Sequence, residues 1–303
     1  MPRSLPRSTP FAVALIALAG AACAGGGPRA PEPVSGPPPG DTAAAGPIGT
    51  PAPVAYTVPD RSPVRYSFGD TTRLEIGSGG MGAVRVLSAR SGTAELTFRA
   101  AGPELQVSVS FPSLNATFQN PGRAAADADQ TAITGDFRIR ATAEGRVEVV
   151  DTPGLSPRLR RMVGPEALVR PFFVSLPGRA VQVGERWTDT VTVREEVEEI
   201  RTVARNIVTS TLVGDTVVEG HQALVIVTET EIELERSGTS GDVEFQERLR
   251  GTTRGRVLWD DARALLIERR ESGELIGVLE MPGTPADALP VTGTVRRLVV
   301  LRP

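Results

Sequence analysis

From about Val64 to its end the chain places apolar residues at every second position, and that habit decides what it can fold into. Between Gln222 and Arg236, Leu224, Ile226, Ile232 and Leu234 fall on one side with Thr228 and Thr230, while Glu229, Glu231, Glu233 and Glu235 fall on the other. A period of two belongs to an extended strand, whose alternate side chains point to opposite faces. Val84–Leu87, Glu95–Phe98, Leu105–Phe111 and Phe137–Val150 read the same way, as do Ala264–Arg270, Glu274–Glu280 and Val291–Leu301. Clusters of Gly, Pro, Asn and Asp punctuate them as turns require. A run of about 15 residues reaches roughly 50 Å, well beyond an ordinary strand. No strand–helix–strand rhythm appears, which argues against a parallel sheet. The expected fold is all-β and mainly antiparallel: a large curved sheet or half-barrel with one short helical segment near 154–169.

The clearest hairpin folds across the Gly- and Ser-rich stretch Ser237–Asp242. Beyond it Arg248, Arg250, Arg254 and Arg256 share one face, and Phe245, Leu249, Val257 and Trp259 the other. A turn centred between Thr239 and Ser240 predicts Glu231 opposite Arg248, Glu229 opposite Arg250, Leu234 against Phe245 and Thr230 against Leu249. The charged ladder reads as a solvated face of ion pairs, or as a docking surface. The apolar face of Leu224, Ile226, Ile232, Leu234, Phe245 and Leu249 is the candidate wall for an apolar or amphiphilic ligand. In a structural or protein-interaction domain without a cavity, the same face is a sealed core.

The helical interlude is Gly154–Val169. Leu155, Leu159, Met162 and Val163 stand at helical spacing, Arg158, Arg160 and Arg161 take the polar side, and Pro165 interrupts it. Such a helix can cover a cavity, lie on a membrane, or plug an open barrel end. It also divides two blocks of strands, 61–152 and 172–303, which form two subdomains or one continuous sheet.

Composition removes several function classes. With one cysteine in 303 residues, no internal disulfide, CxxC redox site or Cys-rich zinc site can form. The one histidine, His221, would have to serve any triad or multi-histidine metal centre, and Glu219-Gly220-His221-Gln222 reads instead as a hairpin turn. A formal net charge of −3 gives no case for nucleic-acid binding. Asp127-Ala128-Asp129 with Thr131 opens like a calcium loop, but Ala132 and Arg138 replace the glycine and glutamate that a calcium hand needs. No cofactor, metal or catalytic residue is expected. A hydrolase using carboxylates alone has no spacing signature and stays open.

The N-terminus speaks about location. Arg3 and Arg7 precede an apolar run, Phe11–Leu18, and Gly20-Ala21-Ala22-Cys23 follows at once. This order reads as a secretory signal peptide, residues 1–22. The ending resembles the lipobox of bacterial lipoproteins, which implies that Cys23 is lipidated and becomes the new N-terminus. In that family Ala24 implies no inner-membrane retention. The expected place is therefore the cell envelope, anchored through lipid to the outer membrane and facing the periplasm. An ordinary cut after Ala19 or Ala21 would release an unlipidated exported protein. Residues 23–60, rich in Pro, Gly and Ala, read as anchor and disordered tether. Fully extended they reach on the order of 100 Å. The β domain is expected over 61–303.

Ser175-Leu176-Pro177 followed by Val181-Gln182-Val183-Gly184-Glu185-Arg186-Trp187 resembles a segment of uncharacterised exported bacterial lipoproteins. Gly251-Thr252-Thr253-Arg254-Gly255, then Trp259-Asp260-Asp261 and Leu265, is similar to their glycine–strand–Asp-turn hairpin. Such proteins look like distant relatives of LolA/LolB-type lipoprotein carriers. Over 172–303 the resemblance implies a bent antiparallel sheet cupping an apolar cavity partly closed by helices, with a lipid or other hydrophobic ligand as partner.

Overall fold

Alternation translates into strands longer than any window that signalled them. The computed structural model describes residues 53–77, 83–120, 125–197, 199–240, 243–282 and 288–303. Cys23 and the signal segment lie outside the described residues. The first block comprises β1 (Val64–Ile76), β2 (Val84–Ala101), β3 (Glu104–Gln119), β4 (Ala126–Asp129), β5 (Ile133–Thr134), β6 (Phe137–Ala141), β7 (Val147–Asp151) and β8 (Gly154–Leu155). Two short helices follow, α1 (Pro157–Met162) and α2 (Pro165–Val169), and a single tight turn, Arg170–Phe172. The second block is β9 (Arg186–Val197), β10 (Ile200–Val218), β11 (His221–Ser240), β12 (Val243–Asp260), β13 (Leu265–Glu280) and β14 (Ala288–Leu301).

All but β5 and β8, which pair as a separate two-stranded sheet, make one curled antiparallel sheet, a half-barrel, in the order β7-β6-β3-β2-β1-β14-β13-β12-β11-β10-β9, with β4 added beside β3. The first and last strands pair from Tyr66–Leu301 to Ile76–Val291, so the two blocks are one continuous sheet. Three expectations need correction. Phe137–Val150 is two strands, because Thr142–Arg146 forms a turn in which the Thr142 N–H donates to Arg146 O at 2.9 Å. The interlude is not one helix: Leu155 pairs with Ile133 as strand. Ser156 then caps α1 by accepting the Leu159 N–H at 3.2 Å, with Pro157 at the first helical position. In the hairpin, Glu235 faces Arg248, Glu233 faces Arg250 and Leu234 faces Leu249, and the last pair is Ser240–Val243. Relative to the expected register each partner moves by four residues. An even slip leaves every side chain on its expected face, so alternation could not detect it.

The tether is also shorter than expected. Val54 and Tyr56 are buried core residues. Val54 exchanges backbone hydrogen bonds with Gly178 and Arg179, and the Tyr56 N–H donates to Ala143 O at 2.9 Å. The Tyr56 hydroxyl accepts the Val174 N–H at 2.9 Å, and its ring meets Trp259 edge-on at 4.8 Å. Two large buried side chains outweigh the Pro/Ala composition around them.

Inside the curl lie two apolar clusters. One, at the helical end, gathers Leu96, Val109, Phe111, Phe137, Ile226, Trp259 and Leu266 with Leu155, Leu159, Met162, Val163 and Phe172 from the interlude. The residues expected to cover the barrel therefore plug one end of it. Phe172 stacks among Tyr66, Phe68 and Phe111 at centroid distances of 5.5–6.2 Å. The second cluster fills the other end with Leu74, Val86, Val193, Ile232, Leu234, Leu249, Leu275 and Val291.

Candidate functional site

The apolar face singled out from the sequence is divided between these clusters. Ile226 belongs to the helical-end cluster with Leu224 packed against it; Ile232, Leu234 and Leu249 belong to the far cluster, with Phe245 at its edge. They share a face without forming one open apolar trough. What separates them is polar.

Strand register explains why. Reading across the inner face, Ser210 of β10 pairs with Thr228 of β11, Thr228 with Gly255, and Gly255 with Glu271. Glu271 pairs with Arg297, Arg297 with Asp70, and Asp70 with Arg90. Seven consecutive strands thus contribute one row of polar residues (with a glycine) across the concave face. Asp70 is ion-paired to Arg90 and stands 3.8 Å from Arg297. Glu271 holds Arg297 at 3.3 Å and, from the next inner row, Arg269 at 2.5 Å. Gly255 is required in this row: a Cβ there would fall 2.5 Å from Glu271 Cγ and 2.6 Å from the Arg270 carbonyl. The row also ties the sheet to its plug. Arg90 donates to Ala167 O at 3.0 Å, and Arg269 donates to Phe173 O at 3.0 Å. Both arginines thereby satisfy carbonyls that a short helix and a tight turn leave without partners.

The free edges of the sheet, β7 and β9, approach each other along a seam where Arg146 meets Asp189 at 3.0 Å. Ser175 lies beside it, accepting the Trp187 indole N–H at 3.2 Å. Beneath the seam is a cavity of about 280 Å³. Its wall combines Val191, Val193, Val208, Ile232 and Val257 with Thr228, Thr230, Thr253, Arg269, Glu271 and Arg297. Two polar atoms on this wall, Asn206 Oδ1 and Thr228 Oγ1, are buried without a hydrogen-bond partner. Polar atoms orphaned beside empty space are where water or ligand is expected.

Glu195, on β9, is another charged group out of the ordinary. Both carboxyl oxygens are buried without hydrogen-bond partners, packed against Gly164 at the start of α2. Burial, and then the charge of Glu166, push this carboxyl up to about 7; Arg90 and Arg170 pull the other way.

The remaining candidates resolve into structure. His221 is exposed and pairs with Val218 across a two-residue turn, in which Glu219 and Gly220 take φ of 50° and 84°. Asp129 accepts the Thr131 N–H at 2.9 Å and Asp127 accepts the Thr117 hydroxyl at 2.7 Å. The Thr131 hydroxyl and N–H hold the Asp129 carboxyl below its usual range. Among the described residues no group of three or more His, Cys, Asp or Glu is gathered to hold a metal. Gly184 turns the chain with φ 89° and donates to Leu212 O at 2.7 Å, and the Trp187 ring follows as an anchor. The outer ladder forms with shifted partners, Arg254–Glu229 at 3.2 Å and Arg205–Glu233 at 3.0 Å, all well exposed. At the far end one pair is buried, Arg236–Glu247 at 3.0 Å, with the Arg236 guanidinium over the Phe245 ring.

Of the expected apolar wall only Ile232 lines this cavity, and sequence reasoning missed the polar row beside it. Asp70, Arg90, Glu271 and Arg297 sit at inward parity on their strands, but the row appears only when six registers are known together. Comparison with known proteins adds no relative: no family model matches the chain, and no curated protein matches it.

Proposed function

We propose that the chain is an exported lipoprotein, anchored to the membrane through Cys23, whose half-barrel holds a small amphiphilic ligand in the seam cavity. The observation that carries this reading is the cavity itself: about 280 Å³ bounded by apolar side chains and orphaned polar atoms together. Ligand pockets combine an apolar wall with a few convergent polar groups in this way. The volume lies at the small end of such pockets, which favours a compact amphiphile over a diacyl lipid. The tether supports the reading too. Residues 54–56 enter the fold against Ala143, Val174 and Gly178, beside the seam. A lipid at Cys23 would leave the cavity on the side where the leash departs.

A second reading, a structural or partner-binding lipoprotein, draws on the tight burial of Ile226, Ile232, Leu234 and Leu249. Native mass spectrometry of the full chain, extracted without detergent from its own envelope, separates the two. A bound mass of a few hundred daltons or less, lost on replacing Val208 by phenylalanine to fill the cavity, is the expected result. The bare chain mass, unchanged by added amphiphiles, would overturn the ligand reading in favour of the second.

A further inference from the structure

The helical end of the half-barrel leaves apolar side chains in the open. Val217 and Val183 are 70% and 63% exposed, and Val213 and Val58 are 48% and 41% exposed. They come from separate segments that the backbone gathers. The loop before β9 bonds to Leu212 twice: the Gly184 N–H donates to Leu212 O at 2.7 Å, and the Leu212 N–H to Glu185 O at 3.1 Å. Val183 therefore stands beside Val213. A bulge between Leu212 and Gly214 leaves Val213 without a cross-strand partner, and bulges re-aim a side chain in this way. Val217 lies further along the same strand, at the Glu219-Gly220 end of the hairpin. Val58 follows Tyr56, whose ring meets Trp259; Trp259 pairs with Leu224, and Leu224 with Asp215 of that hairpin. Val227, opposite Thr211, borders the group. Among the described residues the other exposed large apolar side chains, Val150, Ile276 and Leu298, stand one to a strand on β7, β13 and β14.

The same end receives the leash. Val54, bonded to Gly178 and Arg179, stands only 31 positions after Cys23 (54 − 23). However arranged, that stretch spans at most on the order of 100 Å. A domain so confined meets the bilayer at an effective concentration of about millimolar, so a contact too weak to recruit a free protein is enough. Resting on the reading of Cys23 as a lipid anchor, we infer that this end of the half-barrel is a membrane-docking surface, with Val183, Val213 and Val217 set into the outer part of a lipid bilayer. Exposed apolar groups gathered in one place mark such contacts, and burying them out of water supplies the attraction. The polar groups of the hairpin fit a shallow contact. Asp215 accepts from the Gln222 amide at 3.0 Å, and Glu219 and His221, exposed at the turn, stay at the level of the headgroups. Trp187, four positions after Val183, belongs to the seam, so docking holds the cavity close to a source of amphiphiles.

The full chain, purified from its own envelope and reconstituted into phosphatidylcholine vesicles, tests this. An environment-sensitive fluorophore is placed on Val217→Cys or, as the remote control, on Ile276→Cys, which lies 11 positions along β13 from Leu265 (276 − 265), about 36 Å at strand rise. Intact mass reports whether Cys23 carries lipid. In the lipidated chain, spin-labelled lipid is expected to quench the Val217 label severalfold more strongly than the Ile276 label. Val183→Asp with Val213→Asp should bring the Val217 label down to the Ile276 level and keep the melting temperature within a few degrees, since both side chains are exposed. Equal quenching at the two positions of a lipidated chain overturns the docking surface and leaves the anchor standing. Quenching at Val217 that survives the double substitution overturns the assignment to these valines. A Val217 label shielded from aqueous iodide but not reached by spin-labelled lipid overturns the bilayer as occupant, in favour of a protein partner or a second copy. A chain without lipid on Cys23 overturns the anchor and the docking together.

Discussion

Replacing Glu195 by glutamine should stabilise the protein above neutral pH and remove a pH dependence that the parent chain carries. Its carboxyl oxygens are enclosed between β9 and the start of α2, with Gly164 against them. The charged groups acting on it are Glu166 and Arg170 of the plug and Arg90 of β2; the Glu166 N–H also draws it down, though not in hydrogen-bonding geometry. Desolvation outweighs the two arginines, so the group rises from 4.5 to about 7. The sign follows from proton counts. Between pH 4.5 and 7 the folded chain keeps a proton that the unfolded chain has released, so stability falls as pH rises through that window. Below 4.5 the contribution is fully present, and above 7 it is lost. At 1.36 kcal/mol per unit the shift amounts to about 3 kcal/mol, a sizeable part of the 5–15 kcal/mol that ordinary domains possess. Glutamine keeps the shape and carries no charge. Urea unfolding followed by tryptophan fluorescence at pH 5 and pH 8 measures the effect. The parent should lose about 2–3 kcal/mol relative to the variant between those two values, with the variant the more stable at pH 8. A parent-minus-variant difference that stays constant with pH would refute the argument, as would a variant less stable than the parent at pH 8.

Arg236→Met alone should cost about 3–5 kcal/mol by leaving Glu247 charged in a fully buried site, while Arg236→Met with Glu247→Leu should come close to the parent, because two buried charges gain little over packed hydrocarbon; chemical denaturation of both variants decides it. Leu159→Ala, in the middle of the plug, should cost about 2–5 kcal/mol by the same assay and expose the helical-end cluster to a hydrophobic dye. On the outer ladder, Glu229→Ala should change stability by less than about 1 kcal/mol, since its partner Arg254 is exposed. Cys23→Ser should move the protein from the membrane fraction to the soluble periplasmic fraction, and an unchanged distribution would count against lipid anchorage.

How much of this could be read from the chain depends on which physical constraint each feature obeys. The strands, their faces and the antiparallel meander follow from alternation, a local property that burial enforces residue by residue. The plug was legible for the same reason, since Leu159, Met162 and Val163 carry helical spacing, although Ser156 and Pro165 trimmed one helix into two. Register is a different matter. Only odd slips are penalised by burial, so the hairpin could settle four residues from the expected pairing, where Glu233 still meets Arg250 and Leu234 meets Leu249. The site depends on register most of all. Arg297 and Asp70 are 227 positions apart in sequence order and become neighbours only because the last strand pairs with the first. Inward charges on single strands look like faults in alternation, and each would be one if it stood alone in the core. Placed in one row they neutralise one another almost completely, divide the interior into two cores, and leave a space between them that neither core fills.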